Sequence, residues 1–134
     1  MPSIDTHAVV TIEHAQEGDQ REVDPQVAFT VCKCAVLRIA ASPNGNGDSM
    51  LNDMRVLFDI MHRVATDDDY ATEIIVTGED CLWRSARAGN TAILSYLLRE
   101  RQVSPDARRA MHYAVRYGQT AAVELLVAHG ARTR

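Results

Sequence analysis

The sequence predicts an all-α fold of stacked helix-turn-helix units, and two observations lead to this prediction. Apolar residues recur at helical spacing along much of the chain from residue 25 onward. Two segments in the C-terminal half align with each other without a gap, which is typical of stacked repeats. In the N-terminal segment, residues 8–12 alternate in the manner of a strand. We therefore expect a helical solenoid with an irregular N-terminal segment that could contain one short strand.

The composition is ordinary for one globular domain. Of the 134 residues, 46% are hydrophobic and 24% are charged. No run approaches the roughly 18 apolar residues of a spanning helix, and the first residues lack the pattern of a secretory signal. The cysteines are odd in number, and we expect Cys32, Cys34 and Cys81 to be buried free thiols rather than metal ligands. These features predict a cytoplasmic protein with no cofactor, no metal and no membrane partner.

Delivery into a host cell is the alternative to a protein that stays in the cytoplasm of its own cell. Only one of the fourteen basic residues is a lysine, Lys33. A chain with few lysines would offer few sites for ubiquitin in a host. A genome rich in GC explains the same bias, because arginine codons are GC-rich.

Charge is unevenly distributed along the chain. Residues 1–24 carry six acids against one arginine, and residues 25–80 carry nine acids against four bases. Residues 81–134 reverse the sign, with nine arginines against three acids. A basic C-terminal face would suit a partner with an acidic surface, although a solvated surface that neutralises itself explains the same pattern. Nucleic-acid binding by this segment is disfavoured by the net charge of -4.

The first half of the chain predicts a leader and a helical hairpin. Residues 1–24 are polar and acidic, and we expect this leader to be partly flexible. Asp24 can cap a helix whose first residue is the proline that follows, so a helix from about 25 to 41 is predicted. Residues 42–48 are rich in glycine and asparagine and form a loop. Helical spacing resumes from about 50 to 63.

The rest of the chain completes a single helical-repeat domain over residues 25–134, of which 25–63 is the irregular first hairpin. Residues 64–80 connect this hairpin to two repeats, residues 81–101 and 110–131. The structure of the connector stays open, because its acidic start suits a helix whereas the β-branched residues that follow suit an extended chain.

The two repeats carry most of the information in this sequence. Residues 82–98 align with residues 111–127, and Gly89 and Gly118 occupy equivalent positions at an offset of 29. Each unit has a short helix, a glycine turn and a second helix with adjacent apolar pairs. The small residues that allow close helix packing are Ser85, Ala86 and Ala114. A single unit could not bury its own apolar face, so neighbouring units must stack.

The second repeat resembles the ankyrin family. Met111-His112-Tyr113-Ala114 matches the L-H-x-A part of the family's T-P-L-H-x-A start. The residues from Gly118 through Gly130-Ala131 match its G-x-x-x-V-V-x-x-L-L-x-x-G-A ending.

The first repeat is a looser copy, and the resemblance covers residues 81–131 well and 25–63 weakly. Trp83 follows Leu82 where the family has histidine, and Arg101 stands where the family has its closing glycine. The offset of 29, against about 33 in the family, implies a shortened connection at residues 102–109. We therefore expect the family's projecting β-hairpin fingers to be stunted or absent there.

The resemblance implies roles for individual residues. It implies that first-helix positions line a concave surface for a protein partner; these positions are Arg84, Arg87, Tyr113, Arg116 and Tyr117. Trp83 adds an aromatic anchor to that surface or packs between units, and ordinary solvated positions remain the alternative for the arginines. Arginine and the large aromatics are enriched in binding hot spots. The residues it assigns to the repeat framework are Leu82, Gly89, Met111, His112, Ala114, Gly118 and Gly130. It also implies that His112 hydrogen-bonds to the backbone and holds adjacent units together.

The predicted function is protein binding without catalysis, as a regulator, an inhibitor of the immunity type or a secreted effector. No nucleophile elbow, zinc-protease motif, Walker A loop or dinucleotide fingerprint occurs in the sequence. The alternatives are a small enzyme without a recognisable motif and a nucleic-acid binder that uses the basic C-terminal face. A homodimer through the ends of so short a stack is also compatible with the sequence.

Overall fold

The computed structural model describes residues 24–43, 47–65 and 68–131. Within these ranges the elements are α1 (Pro25–Ala40), α2 (Gly47–Val64), α3 (Asp68–Ala88), α4 (Thr91–Arg99), a 3-10 turn (Ala107–Arg109), α5 (Ala110–Arg116) and α6 (Thr120–Ala128). The predicted all-α class is confirmed for this part of the chain. The acidic leader up to residue 23 and the strand predicted at 8–12 lie outside the described residues.

The helices form two layers of three. Helices α1, α3 and α5 pack side by side in one layer, and α2, α4 and α6 pack side by side in the other. Each helix of the first layer also contacts the following helix of the second layer, which gives the pairs α1–α2, α3–α4 and α5–α6. The predicted stack of helix-turn-helix units is therefore confirmed, and each pair buries its apolar face against a neighbouring pair.

The first hairpin starts where the sequence indicated. Asp24 accepts a hydrogen bond from the Gln26 N–H at 2.9 Å, and Pro25 occupies the first helical position of α1. Helix α2 contributes the bulkiest part of the core, with the side chains of Met54, Leu57, Phe58, Ile60 and Met61 almost fully buried. The two helices agree with the predicted ones to within a few residues at each end.

The connector that the sequence left open belongs to α3. This helix begins at Asp68 and runs through to the first helix of the first repeat, so the extended alternative for residues 74–78 is wrong. Tertiary contacts outweigh the β-branched run, since the Ile74 side chain is buried and the rings of Phe29 and Tyr70 lie 4.9 Å apart. Lys33 Nζ reaches Glu73 Oε2 at 2.8 Å, which ties α3 to α1 a second time.

The connection between α4 and α5 is compact, as its shortened length predicted. It closes on α4 through a hydrogen bond from the Val103 N–H to the Leu97 carbonyl at 3.0 Å, and it contains the 3-10 turn. Gln102, Arg108 and Arg109 adopt positive φ values of 54°, 51° and 58°. Side chains rarely accept this conformation, so surrounding contacts must hold it. No hairpin finger projects between the two repeats in the described part of the chain.

All three cysteines are free thiols, but they differ in environment. Cys32 and Cys81 are buried, whereas Cys34 is exposed, so the expectation of burial was wrong for Cys34. Residues two apart on a helix point in different directions, which places one of the pair in the core and the other in solvent. Burial raises the pKa of Cys32 to about 11 and raises that of Cys81 as well. Both thiols are thus protonated and inert near neutral pH.

Candidate functional site

The glycine turns place the ends of α3 and α5 next to each other. Gly89 and Gly118 have φ values of 74° and 67°, which side chains disfavour, and each reverses the chain directly after a first-layer helix. Because α3 and α5 pack side by side, their C-terminal parts meet through the Trp83–Tyr113 and Arg87–Tyr117 contacts and form one surface. The predicted partner-binding residues lie on the last two turns of α3, on the last turn of α5 and on the residue that follows α5.

Five of the six predicted residues make contacts with one another there. The rings of Trp83 and Tyr113 lie 4.9 Å apart between centroids, tilted by 31°. The Arg84 guanidinium carbon lies 4.8 Å from the Trp83 ring centroid, and that of Arg87 lies 4.8 Å from the Tyr117 ring centroid. These distances are those of cation–π contacts. We name Trp83, Arg84, Arg87, Tyr113 and Tyr117 the arginine–aromatic patch.

A cavity of about 310 Å³ opens within the patch. Its lining comes from Trp83, Arg84, Arg87, Ala88 and Tyr117, together with Ala41 at the end of α1. The ends of all three first-layer helices therefore border the same depression. Arg87 lies in the last turn of α3, where a cation is favoured because the backbone carbonyls at a helix C-terminus carry partial negative charge.

Arg116 is the sixth predicted residue, and it stands apart from the others. It is exposed in the last turn of α5, and it makes no hydrogen bond, ion pair or ring contact among the residues that the structure describes. The structure therefore leaves it beside the patch rather than within it.

Comparison with known families decides the identity of this fold. A family model described as Ankyrin repeats (3 copies) matches residues 37–134, which is more than half of the chain. The chain belongs to the ankyrin-repeat family. The match begins in the last turn of α1 and includes all of α2, so the ankyrin character extends over the hairpin whose sequence resembles the family weakly. Ankyrin repeats are generally modules of protein–protein interaction.

Other comparisons add nothing to the family assignment. No curated protein and no solved structure matches the chain. Across the described ranges, no helix combines the length and the apolar character that crossing a membrane requires. The His, Cys, Asp and Glu side chains of those ranges also form no cluster that could hold a metal ion.

The structure places most of the framework residues of the ankyrin repeats in the core or at the turns. Leu82 and Ala114 are fully buried, Met111 is half-buried, and Gly130 has a φ of 95° after α6. His112 is the exception. Its ring is exposed and lies edge-on to Tyr113 at 5.4 Å, without a hydrogen bond to any described residue. The expected backbone hydrogen bond of His112 is therefore a wrong prediction.

Two amide side chains make the bridges between repeats instead. Asn90 Nδ2 donates to the Ser42 carbonyl at 2.9 Å, and Gln119 Nε2 donates to the Arg87 carbonyl at 2.9 Å. In both cases the residue after the glycine turn reaches back to the preceding first-layer helix. Arg87 lies in the last turn of α3, whose carbonyls lack partners within the helix, and Ser42 lies two residues beyond the end of α1. The signal was present in the sequence, since Gly89-Asn90 and Gly118-Gln119 are equivalent pairs at the offset of 29.

Proposed function

We propose that this ankyrin-repeat chain binds a partner protein through the arginine–aromatic patch and has no catalytic activity of its own. The observation that carries the proposal is the convergence of Trp83, Arg84, Arg87 and Tyr117 around one cavity, which borders all three first-layer helices. Large aromatic and arginine side chains dominate interface energetics, because they bury much area and make planar, directed contacts.

The exposure of the patch supports the same proposal. Arg87 and Tyr117 are exposed, and Tyr117 keeps 47% of its surface accessible. Trp83, Arg84 and Tyr113 are half-buried and stacked on one another, so their positions are fixed before a partner arrives. A pre-organised surface loses little side-chain entropy on binding. Arg116 would extend the contact area on the α5 side.

The biological role we assign is that of a binding subunit acting in the cytoplasm. A regulator or inhibitor of a protein in the same cell and an effector delivered into another cell would use this surface in the same way. The three free thiols fit a reducing compartment, which both roles share.

Affinity capture with matched variants tests the proposal. Arg87→Ala/Tyr117→Ala removes one charge and one exposed side chain from the patch. Arg99→Ala/Val127→Ala removes one charge and one exposed side chain from the α4–α6 layer, and it serves as the control. Circular dichroism and urea unfolding must first show that both variants fold as the wild type does.

The expected result is a specific protein that the wild type and the control retain and the patch variant loses. Capture of the same proteins by all three chains would show that the patch is not the binding surface. Capture of no protein by the wild type would contradict the binding role itself.

A further inference from the structure

The two arginines that line the cavity have no acidic partner among the residues that the structure describes. Arg84 and Arg87 lie against aromatic rings, and neither makes an ion pair with a carboxylate of the described residues. Ion pairs of the described residues join Lys33 to Glu73, Arg55 to Glu100, and Arg108 to Glu79 and Asp80, and none of these pairs lines the cavity. The cavity therefore carries an uncompensated positive charge, although the chain as a whole is acidic.

Arg84 is also partly stripped of water. Its Nε is buried and makes no hydrogen bond, while its guanidinium carbon lies 4.8 Å from the Trp83 ring centroid. A guanidinium in such surroundings gains more from an anion than a fully hydrated one does, because the attraction is screened less and less water is displaced. Its planar group also suits a carboxylate, which accepts two parallel N–H bonds.

The dimensions of the cavity limit what it can hold. At about 310 Å³ it stands at the lower end of the range, roughly 300–1,000 Å³, in which small-molecule pockets fall. Such a space suits one or two side chains of a peptide. Its walls are aromatic at Trp83 and Tyr117 and cationic at Arg84 and Arg87, so an acidic side chain beside an apolar one would satisfy both kinds of surface.

We propose that the partner contributes an acidic segment to this cavity, with an Asp or Glu carboxylate bound by Arg84 and Arg87. The inference rests on the proposed function, since it names the chemistry that the same surface recognises. The neighbouring residue of the segment packs on Trp83 and Tyr117. Charge complementarity selects the partner, and the aromatic side chains supply contact area.

The test uses a phage-displayed library of random peptides, selected on the full chain. Trp83 is the single tryptophan of the protein, so its fluorescence reports on this site alone. Selected peptides are titrated against that signal. In one set of titrations the acidic residue of the peptide is replaced by Asn or Gln. In another set the original peptides are titrated against the protein variants Arg87→Gln, Arg84→Gln and the control Arg99→Gln. Arg87 is exposed, so its variant remains informative even if Arg84→Gln perturbs folding.

We expect the selected peptides to share an Asp or Glu at one position. Its replacement should weaken binding about tenfold or more, as should Arg84→Gln and Arg87→Gln, whereas Arg99→Gln should leave it unchanged. Added salt should weaken the wild type and should affect Arg87→Gln less. Inorganic phosphate should compete only weakly, because it lacks the apolar neighbour.

Different failures separate this inference from the proposed function. In one outcome, the selected peptides show no enrichment in acidic residues, bind Arg84→Gln and Arg87→Gln normally, and fail to bind Tyr113→Ala/Tyr117→Ala. This outcome would overturn the acidic segment but would support the patch as the binding surface. Peptides that bind every patch variant equally and leave Trp83 fluorescence unchanged would overturn both. Strong competition by phosphate, or the selection of no peptide, would overturn the inference that a partner carboxylate occupies the cavity. The role of the patch in protein binding would then still be tested by the affinity capture described above.

Discussion

The two ankyrin repeats that align in sequence differ in how their second helices are packed. Helix α4 buries Ile93, Leu94, Tyr96, Leu97 and Leu98, whereas α6 buries only Ala122 and Leu126. The first repeat, residues 81–101, lies between the α1–α2 hairpin and the second repeat, residues 110–131. The second repeat has described neighbours on one side only. In a solenoid, therefore, equivalent residues differ in their contribution to stability according to their neighbours.

The largest difference in stability that we expect between the two repeats is at Leu98 and Val127, which are equivalent at the offset of 29. Leu98 keeps 6% of its surface exposed and Val127 keeps 44%. Leu98→Ala should lower the free energy of unfolding by about 2–5 kcal/mol, and Val127→Ala by less than about 1 kcal/mol. Urea unfolding followed by circular dichroism measures both. Equal losses would mean that the face of α6 is covered in solution as that of α4 is.

The next largest difference in stability is expected on replacing the turn glycines, Gly89 and Gly118. Both require positive φ, so Gly89→Ala and Gly118→Ala should each cost about 1–2 kcal/mol. A Cβ on Gly89 would also lie 2.5 Å from the side-chain oxygen of Gln119, whereas one on Gly118 would meet nothing within 4 Å. Gln119 would have to turn away and lose its bond to the Arg87 carbonyl, which should make Gly89→Ala the more destabilising by about 1 kcal/mol.

A double mutant tests the cause of this excess. In the background of Gln119→Ala the obstructing side chain is gone, so Gly89→Ala and Gly118→Ala should cost the same. An excess that persists without Gln119 would have to come from another neighbour of the turn.

A smaller difference in stability is expected on replacing the two amide side chains that bridge the repeats, Asn90 and Gln119. Asn90 is 1% exposed, caps α4 by accepting from the Ile93 N–H at 3.2 Å, and donates to the Ser42 carbonyl. Gln119 makes its bridge at an exposed position and forms no cap. Asn90→Ala should lower the free energy of unfolding by about 1–2 kcal/mol, and Gln119→Ala by about 0.5 kcal/mol. Asn90→Asp would set a buried carboxylate oxygen against the Ser42 carbonyl, so it should destabilise at least as much as Asn90→Ala although it keeps the cap.

These contrasts show which parts of the structure the sequence could reveal. Regular features that recur were predictable: the glycine turns, the buried Leu82 and Ala114, and the side-by-side first helices that bring the patch together. The first part of α3 was not, because the run from Ile74 to Thr77 has the local preference of a strand, and the helix there depends on tertiary packing that buries Ile74 and Thr77. The bridging role of Asn90 was missed for a similar reason, since its acceptor is the carbonyl of a residue 48 positions away.

The smallest effect we predict arises where the first repeat departs from the second. Arg101 occupies the position equivalent to Gly130, and its side chain crosses to α2, where it lies 2.7 Å from His62 Nε2 and 4.5 Å from the Phe58 ring centroid. Arginine can only donate, so the Nε2 atom accepts and the imidazole is neutral. Partial burial, together with the charge of Arg101, lowers the pKa of His62 from its usual 6.5.

The sign of the resulting pH dependence follows from proton uptake. Between its lowered folded pKa and the ordinary value of 6.5, His62 binds more protons in the unfolded chain than in the folded one. The stabilisation from this contact is therefore complete above 6.5 and is lost as the pH falls through the folded pKa. His62→Gln keeps an acceptor for Arg101 but does not titrate. We expect urea unfolding between about pH 7.5 and pH 5.5 to show a steeper loss of stability for the wild type than for this variant. Parallel curves would mean that His62 has the same proton affinity in both states and that the Arg101 contact does not persist in solution.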